Sequence, residues 1–290
     1  MSWETDHRSC VWPNQAISAK RDEKEIQKVL SVKSKKVYPV EFKPENHNCY
    51  ILKFCLLPNG KILLADRNNR RLKKLDKSYK LISLCDLPAA TLDVCYVGNQ
   101  TAAACLGDAG IQLVDISGEM KLKELVKLDH PCLGIDFHRN NLYVTSRDTV
   151  FSYTKDVSQQ RVLYHKQEVL PDEALGHITA SKDGKLLYLS DVNGGLVTID
   201  SNGSHLNTLK NDVLQGASSV CLASEDTILV TDENTNSVHQ VDYKGEKVLG
   251  TVLTREPDEQ KPWSVYYERH LARMLVGHLN QNYITVYEVQ

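Results

Sequence analysis

Leu72-Lys73-Lys74-Leu75-Asp76 decides the fold, because its pattern returns along the chain. An apolar residue, two variable ones, an apolar residue or Tyr, and then an acid or Thr recur as Ile111-Gln112-Leu113-Val114-Asp115 and Val150-Phe151-Ser152-Tyr153-Thr154. Leu196-Val197-Thr198-Ile199-Asp200, Val238-His239-Gln240-Val241-Asp242 and Ile284-Thr285-Val286-Tyr287-Glu288 complete the series. The last positions, 76, 115, 154, 200, 242 and 288, are 39 to 46 residues apart. Periods of this size mark arrays in which each unit buries its faces against its neighbours.

Working outward, a β-rich run precedes the pattern in most copies: 61–66, 142–144, 186–191, 227–232 and 273–277. Asn59-Gly60 and Asp183-Gly184 stand before two of them as tight-turn signals. Earlier still, Gly134-Ile135, Ser219-Val220 and Ser264-Val265 place a small residue before a β-branched one. That suits strands converging on a narrow channel. Four short strands per copy make a blade, and six copies predict an all-β, six-bladed β-propeller over residues 37–290. The final blade supplies three strands of its own. Val37-Tyr38-Pro39-Val40-Glu41-Phe42 is expected to add as its outer strand, removing an exposed edge. Residues 1–36 read as a linker or the end of a helical or coiled-coil segment, with Ile26, Val29 and Leu30 at helical spacing and Ser31 to Lys36 extended.

Composition fits a folded core: 41% of residues are hydrophobic and 25% charged. No apolar stretch is long enough for a membrane helix, and the first residues lack the apolar segment of a secretory signal, so a cytoplasmic protein without membrane partners is expected. The formal net charge of −2 lacks the basic excess of an obligate nucleic-acid binder, and no DNA partner is expected. The eight cysteines form no C-x-x-C pair, which argues against zinc sites. Most lie in apolar runs such as Phe54-Cys55-Leu56 and Val94-Cys95-Tyr96, so reduced core thiols are expected rather than disulfides. Sequons at Asn99 and Asn202 are near the chance number.

Asp66-Arg67-Asn68-Asn69-Arg70-Arg71-Leu72 resembles the NHL repeat, in which Asp is followed by Asn, a variable residue, Arg and an aliphatic residue. Degenerate versions occur at 191–196 and 232–238, His278 replaces the Asp in the last blade, and the second and third blades lack the motif. Cys49-Tyr50-Ile51, Leu56 to Asp66 and Lys261-Pro262-Trp263-Ser264-Val265 are similar to propellers of the TRIM-like (tripartite motif-containing, TRIM-NHL) family. The resemblance implies a propeller that selects a protein or RNA target for a ubiquitin ligase whose RING would lie outside this chain. The chain itself would then be no enzyme.

The Asp66, Asn69 and Arg71 constellation reads first as turn capping and blade-to-blade tying. The propeller topology brings the turns between second and third strands to one face, together with the blade-to-blade connections. That face is expected to carry Arg67, Asn68, Arg70, His130, Arg147, Asn234, Asn236, Trp263, Asn280, Gln281, Asn282 and Tyr283. Arg, Tyr and Trp are the types that anchor protein interfaces. The same set can stack on and hydrogen-bond unpaired bases, and Arg67, Arg70, Arg71, Lys73 and Lys74 with Lys33, Lys35 and Lys36 motivate an RNA alternative. Alternation along a strand, however, keeps that run from facing one ligand. Residues 176–191 resemble part of a gluconolactonase pattern, with Asp191 as an oxygen ligand for calcium, but Gly176 stands where that family needs Asn. No catalytic residue, metal-ligand set or cofactor is assigned, since no nucleophile elbow, phosphate loop or H-E-x-x-H occurs.

Overall fold

The computed structural model describes residues 28–167, 174–223, 227–255 and 260–290. Among them the strands form six four-stranded antiparallel sheets. The first strand, β1 (Val32–Pro39), belongs to the last sheet. Blade 1 is β2 (Ile51–Leu56), β3 (Ile62–Asp66), β4 (Arg71–Leu75) and β5 (Leu81–Asp86). Blade 2 is β6 (Asp93–Gly98), β7 (Thr101–Cys105), β8 (Ile111–Asp115) and β9 (Lys121–Val126). Blade 3 holds β10 (Gly134–His138), β11 (Asn141–Thr145), β12 (Thr149–Thr154) and β13 (Gln160–His165). Blade 4 holds β14 (Leu175–Ala180), β15 (Leu186–Asp191), β16 (Gly195–Asp200) and β17 (His205–Leu209). Blade 5 holds β18 (Ser219–Leu222), β19 (Thr227–Asp232), β20 (Ser237–Asp242) and β21 (Val248–Thr254). Blade 6 is β22 (Pro262–Glu268), β23 (Arg273–His278) and β24 (Tyr283–Val289), completed by β1.

The first strand of each blade touches that of the next, from β2 round to β22 and back to β2, so the ring is closed. Side chains of the first and second strands stitch neighbouring blades together. Asp93 accepts from Ile135 N, Asp136 from Ala180 N, Thr145 Oγ1 donates to Gly176 O, Thr231 Oγ1 to Trp263 O, and Ser264 Oγ to Ile51 O. The crowding expected at the hub is real: a Cβ on Gly134 would lie 2.2 Å from Gly176 O. Both anticipated Asx-Gly turns form, with Gly60 at φ 76° and Gly184 at φ 68°.

The repeat that betrayed the fold has a local cause. Its terminal Asp closes the third strand and caps the turn to the fourth: Asp76 Oδ1 accepts from Ser78 N and Lys80 N, and Asp200 Oδ1 from Asn202 N and Ser204 N. Asp115 and Asp242 do the same. Thr154 passes the task to Asp156, to which it donates at 2.6 Å. Glu288 has no such turn to cap, because its neighbouring strand arrives from the other end of the chain, and it accepts from Ser34 Oγ instead.

Two sequence expectations change here. The closing strand starts at Val32 rather than Val37 and leaves the sheet after Pro39. Its residues are mostly exposed, so no apolar alternation announces it; main-chain pairing from Val32↔Val289 to Pro39↔Tyr283 holds it, with Ser31 and Gln290 exchanging both hydrogen bonds. Upstream, residues 1–27 lie outside the described residues, but Val29 and Leu30 are not helical. Leu30 N donates to Gln240 Oε1, Gln240 Nε2 donates to Lys28 O, and both apolar side chains pack on the core shared by blades 5 and 6.

The cysteines split. Cys49, Cys55, Cys85, Cys95 and Cys221 are free and buried, but Cys105 and Cys132 form a disulfide. Cys105 ends β7 and Cys132 lies in the connection to β10. Paired main chains, Gly107↔Cys132, bring their Cα atoms to 5.4 Å, within bonding reach. No spacing in the sequence signals this pairing.

Candidate functional site

The seam between blades 6 and 1 gathers most of the chemistry. Residues 40–50 connect β1 to β2 and cross the turn between β3 and β4. Asp66, at the end of β3, accepts from Tyr50 N at 3.0 Å and Asn69 Nδ2 at 2.9 Å. Lys73 and Lys74 point to opposite sides of β4. Lys74 Nζ reaches the carbonyl oxygens of Ile116 and Gly118 in blade 2. Lys73 Nζ turns inward to Val40 O at 2.8 Å, Glu45 Oε2 and Asp66 Oδ2 at 2.9 Å, and Cys49 Sγ at 3.0 Å. Its side chain and that of Asp66 are 0% exposed and that of Glu45 1%. Burial opposes the Lys73 charge, but Asp66 and the other acceptors overcome it and hold the pKa above the ordinary lysine value. Burial, with Asp66 adding, pushes the Cys49 thiol up to about 12, so it stays protonated.

Glu45, Cys49 and Asp66 offer ligand atoms within 4.8 Å of one another, a spacing compatible with a metal ion. The cation this cage holds is the Lys73 ammonium. Arg71 completes the cluster, donating to Glu45 Oε1 at 3.0 Å and pairing with Asp86 at 2.7 Å. Asp66, Asn69 and Arg71 thus tie blade 1 to the connection above it. Lys73 and Lys74 are withdrawn from any phosphate-contacting surface.

The expected face divides. Arg67, exposed, lies over the Tyr50 ring at 5.9 Å, and Tyr50 meets Trp263 edge-to-face at 5.2 Å. Asn68 Nδ2 bridges to Asn280 Oδ1 at 2.8 Å and Asn48 O at 3.0 Å. Asn282 accepts from Cys49 N at 2.9 Å. Arg67, Asn68, Trp263, Asn280 and Asn282 therefore share one neighbourhood. Arg70 is exposed beside them, and Gln281 and Tyr283, half-buried, flank the same turn, with Tyr283 tilted against His278 at 5.4 Å. Arg147 and Asn234 are exposed on the corresponding turns of blades 3 and 5, while Asn236 adopts φ 53° to form its turn.

His130 has a different job. Its ring stacks on Phe151 at 3.7 Å, with Nε2 at 2.5 Å from Tyr153 Oη and Nδ1 at 2.8 Å from Pro131 O, so both nitrogens are spent. Sequence reasoning missed Tyr50 and Glu45. Tyr50 had a usable signal, an aromatic at the start of an inner strand beside the best-matched motif.

Around the hub, Asp93 Oδ2 meets His177 Nδ1 at 2.9 Å and Lys53 Nζ at 3.7 Å, joining blades 1, 2 and 4. Burial resists ionisation of Asp93, but Lys53 and His177 keep its carboxyl below the usual range. Burial raises the Asp136 carboxyl. Both acids also accept backbone N–H groups. Asp191, the calcium-ligand candidate, is buried and accepts from Lys166 Nζ at 2.7 Å and Gly194 N at 2.9 Å.

No protein-family model matches this chain, and no curated protein matches it. Among solved structures, the β-propeller domain of Myceliophteria thermophila Cps50 (Swd1) is similar, with TM-score 0.60 and 12% identity over 83% of this chain and 84% of that one. A streptogramin B lyase is also similar, with TM-score 0.65 and 14% identity over 88% of both chains. These likenesses define the class: a six-bladed β-propeller. One neighbour is a lyase and the other a propeller domain, and a shared fold does not by itself assign a function. No helix among the described residues is long and apolar enough to cross a membrane.

Proposed function

We propose that the chain is a non-catalytic recognition module that binds a protein or peptide on the face at the seam of blades 6 and 1. One observation carries the reading: exposed Arg67 and half-buried Trp263 are held side by side across the seam by the buried Tyr50 ring between them. Cationic and aromatic side chains backed by a rigid sheet lose little freedom on binding, and such residues dominate interface energetics. The buried carboxylates Asp66, Asp93, Asp136 and Asp191 engage backbone or cationic side chains, which favours bracing over turnover. With the TRIM-like resemblance, the propeller is the target-reading part of a ligase or scaffold, presenting what it holds.

The test is affinity capture with wild type and with Arg67→Glu, Arg70→Glu and Trp263→Ala combined, after thermal melting has shown that the variant folds. Partners recovered by wild type and lost by the variant support the face. Equal recovery removes it. A parallel filter-binding titration with single-stranded RNA separates the alternative, because phosphate contact gives steep salt dependence.

A further inference from the structure

Between the connection that carries Glu45 and the turn that carries Arg70 lies a polar cleft of about 270 Å³, walled by residues 44–47 on one side and 68–71 on the other. Two donors there lack acceptors. Arg71 Nε is buried and donates to nothing, although both terminal nitrogens of the same guanidinium are paired. The Arg70 guanidinium is exposed and has no acceptor among the described residues. Its backbone is held, however: Arg70 N donates to Arg67 O and Arg70 O accepts from Leu87 N. A buried N–H without an acceptor is costly, and a neighbouring free guanidinium asks for the same chemistry.

Charge agrees with that demand. Lys73 offsets Asp66 at its back, Arg71 pairs with both Glu45 and Asp86, and Arg70 stands at the mouth without a carboxylate partner among the described residues. A single anionic oxygen pair would satisfy Arg70 at the mouth of the cleft, in front of the buried Arg71 Nε. The cleft suits one side chain, and it adjoins exposed Arg67 and half-buried Trp263, which pack on the buried Tyr50 ring, so the rest of an extended segment has a cationic and aromatic surface to lie on.

We infer that this cleft is a specificity pocket for an acidic peptide, receiving one Asp or Glu carboxylate of the segment bound along the seam. The inference rests on the peptide-binding reading above and adds the residue class that the face selects.

The probe is a fluorescein-labelled peptide pool, degenerate except for a central Glu-Glu pair, set against the same pool with Gln-Gln and with Lys-Lys. Fluorescence anisotropy on the full chain should show the Glu pool bound about tenfold or more tightly than the Gln pool, the scale of a charge-assisted hydrogen bond. Arg70→Asn, which suits the left-handed backbone at φ 49°, should erase the preference without a melting shift. Asn46→Asp on the opposite wall should do the same by repulsion, leaving Arg70 in place. Equal binding of Glu and Gln pools, a preference that survives both variants, or displacement of the Glu pool only by polyuridylate RNA would overturn the inference. If the triple seam variant loses its partners while acid and amide pools bind alike, the pocket fails and the binding face stands. If the triple variant loses nothing, the face itself fails.

Discussion

Blades 1 and 2 each fasten a connection to the end of the second strand, blade 1 the one that enters it and blade 2 the one that leaves it, and they do so with opposite chemistry. At blade 1, Asp66 ends β3 and joins Glu45 and Lys73 in a buried ionic cage beneath residues 40–49. At blade 2, Cys105 ends β7 and is bonded covalently to Cys132 of the next connection, with His130 stacked on Phe151 alongside. The NHL-like motif is strong where the ionic cage is built and absent where the disulfide takes over. The motif is therefore first a device for fastening connections. Function on this scaffold has to be sought in what the fastened loops present.

Three changes sharpen the contrast. Lys73→Met should have the largest effect, because removing the ammonium leaves the buried Asp66 carboxylate without its ion partner and Glu45 with Arg71 alone, at about 3–5 kcal/mol of unfolding free energy. Denaturant titration measures it, and a loss confined to surface-pair size would mean that water reaches the cage. The sign with pH follows from the raised lysine pKa. The stabilisation is full below the unfolded-lysine pKa and is lost as pH rises through the folded one, so the gap between wild type and variant should narrow only in strong alkali.

Opening the disulfide should come next. Cys105→Ser with Cys132→Ser removes a cross-link between residues 27 apart, worth about 2–4 kcal/mol by restriction of the unfolded chain. Mass spectrometry of the alkylated protein with and without reductant checks the bond, and melting checks its weight. An unbridged pair in oxidised protein would leave blade 2 fastened by main-chain pairing alone. The smallest effect is expected for His130→Leu, which gives up a stacked ring and two hydrogen bonds for about 1 kcal/mol, read as a shift of the denaturant midpoint with unchanged slope.

Legibility followed the physics of each feature. Turn caps at Asp76, Asp115, Asp200 and Asp242 are local, so they recur in sequence and revealed the blades. Residues 101–105 carried no β-branched run, only buried alanines between Thr101 and Cys105, and β7 went unseen. The outer strand β1 buries almost nothing, so its true start at Val32 had no hydrophobic signature. On the face, Arg67, Asn68, Trp263, Asn280 and Asn282 could be named because topology alone collects those turns. Glu45 with Lys73, Cys105 with Cys132, and Asp93 with His177 are partners across blades or connections, and no pattern within a window links them.

Ring closure at the seam is the claim on which the cage, the cleft and the face all depend. Hydrogen exchange resolved along Val32–Pro39 tests it most directly, against exchange in β24 of the same molecule. The account predicts that the paired amides of β1 are protected together with those of β24 and open with the ring. Exchange of β1 at the rate of unstructured chain, while the other outer strands stay protected, would contradict it.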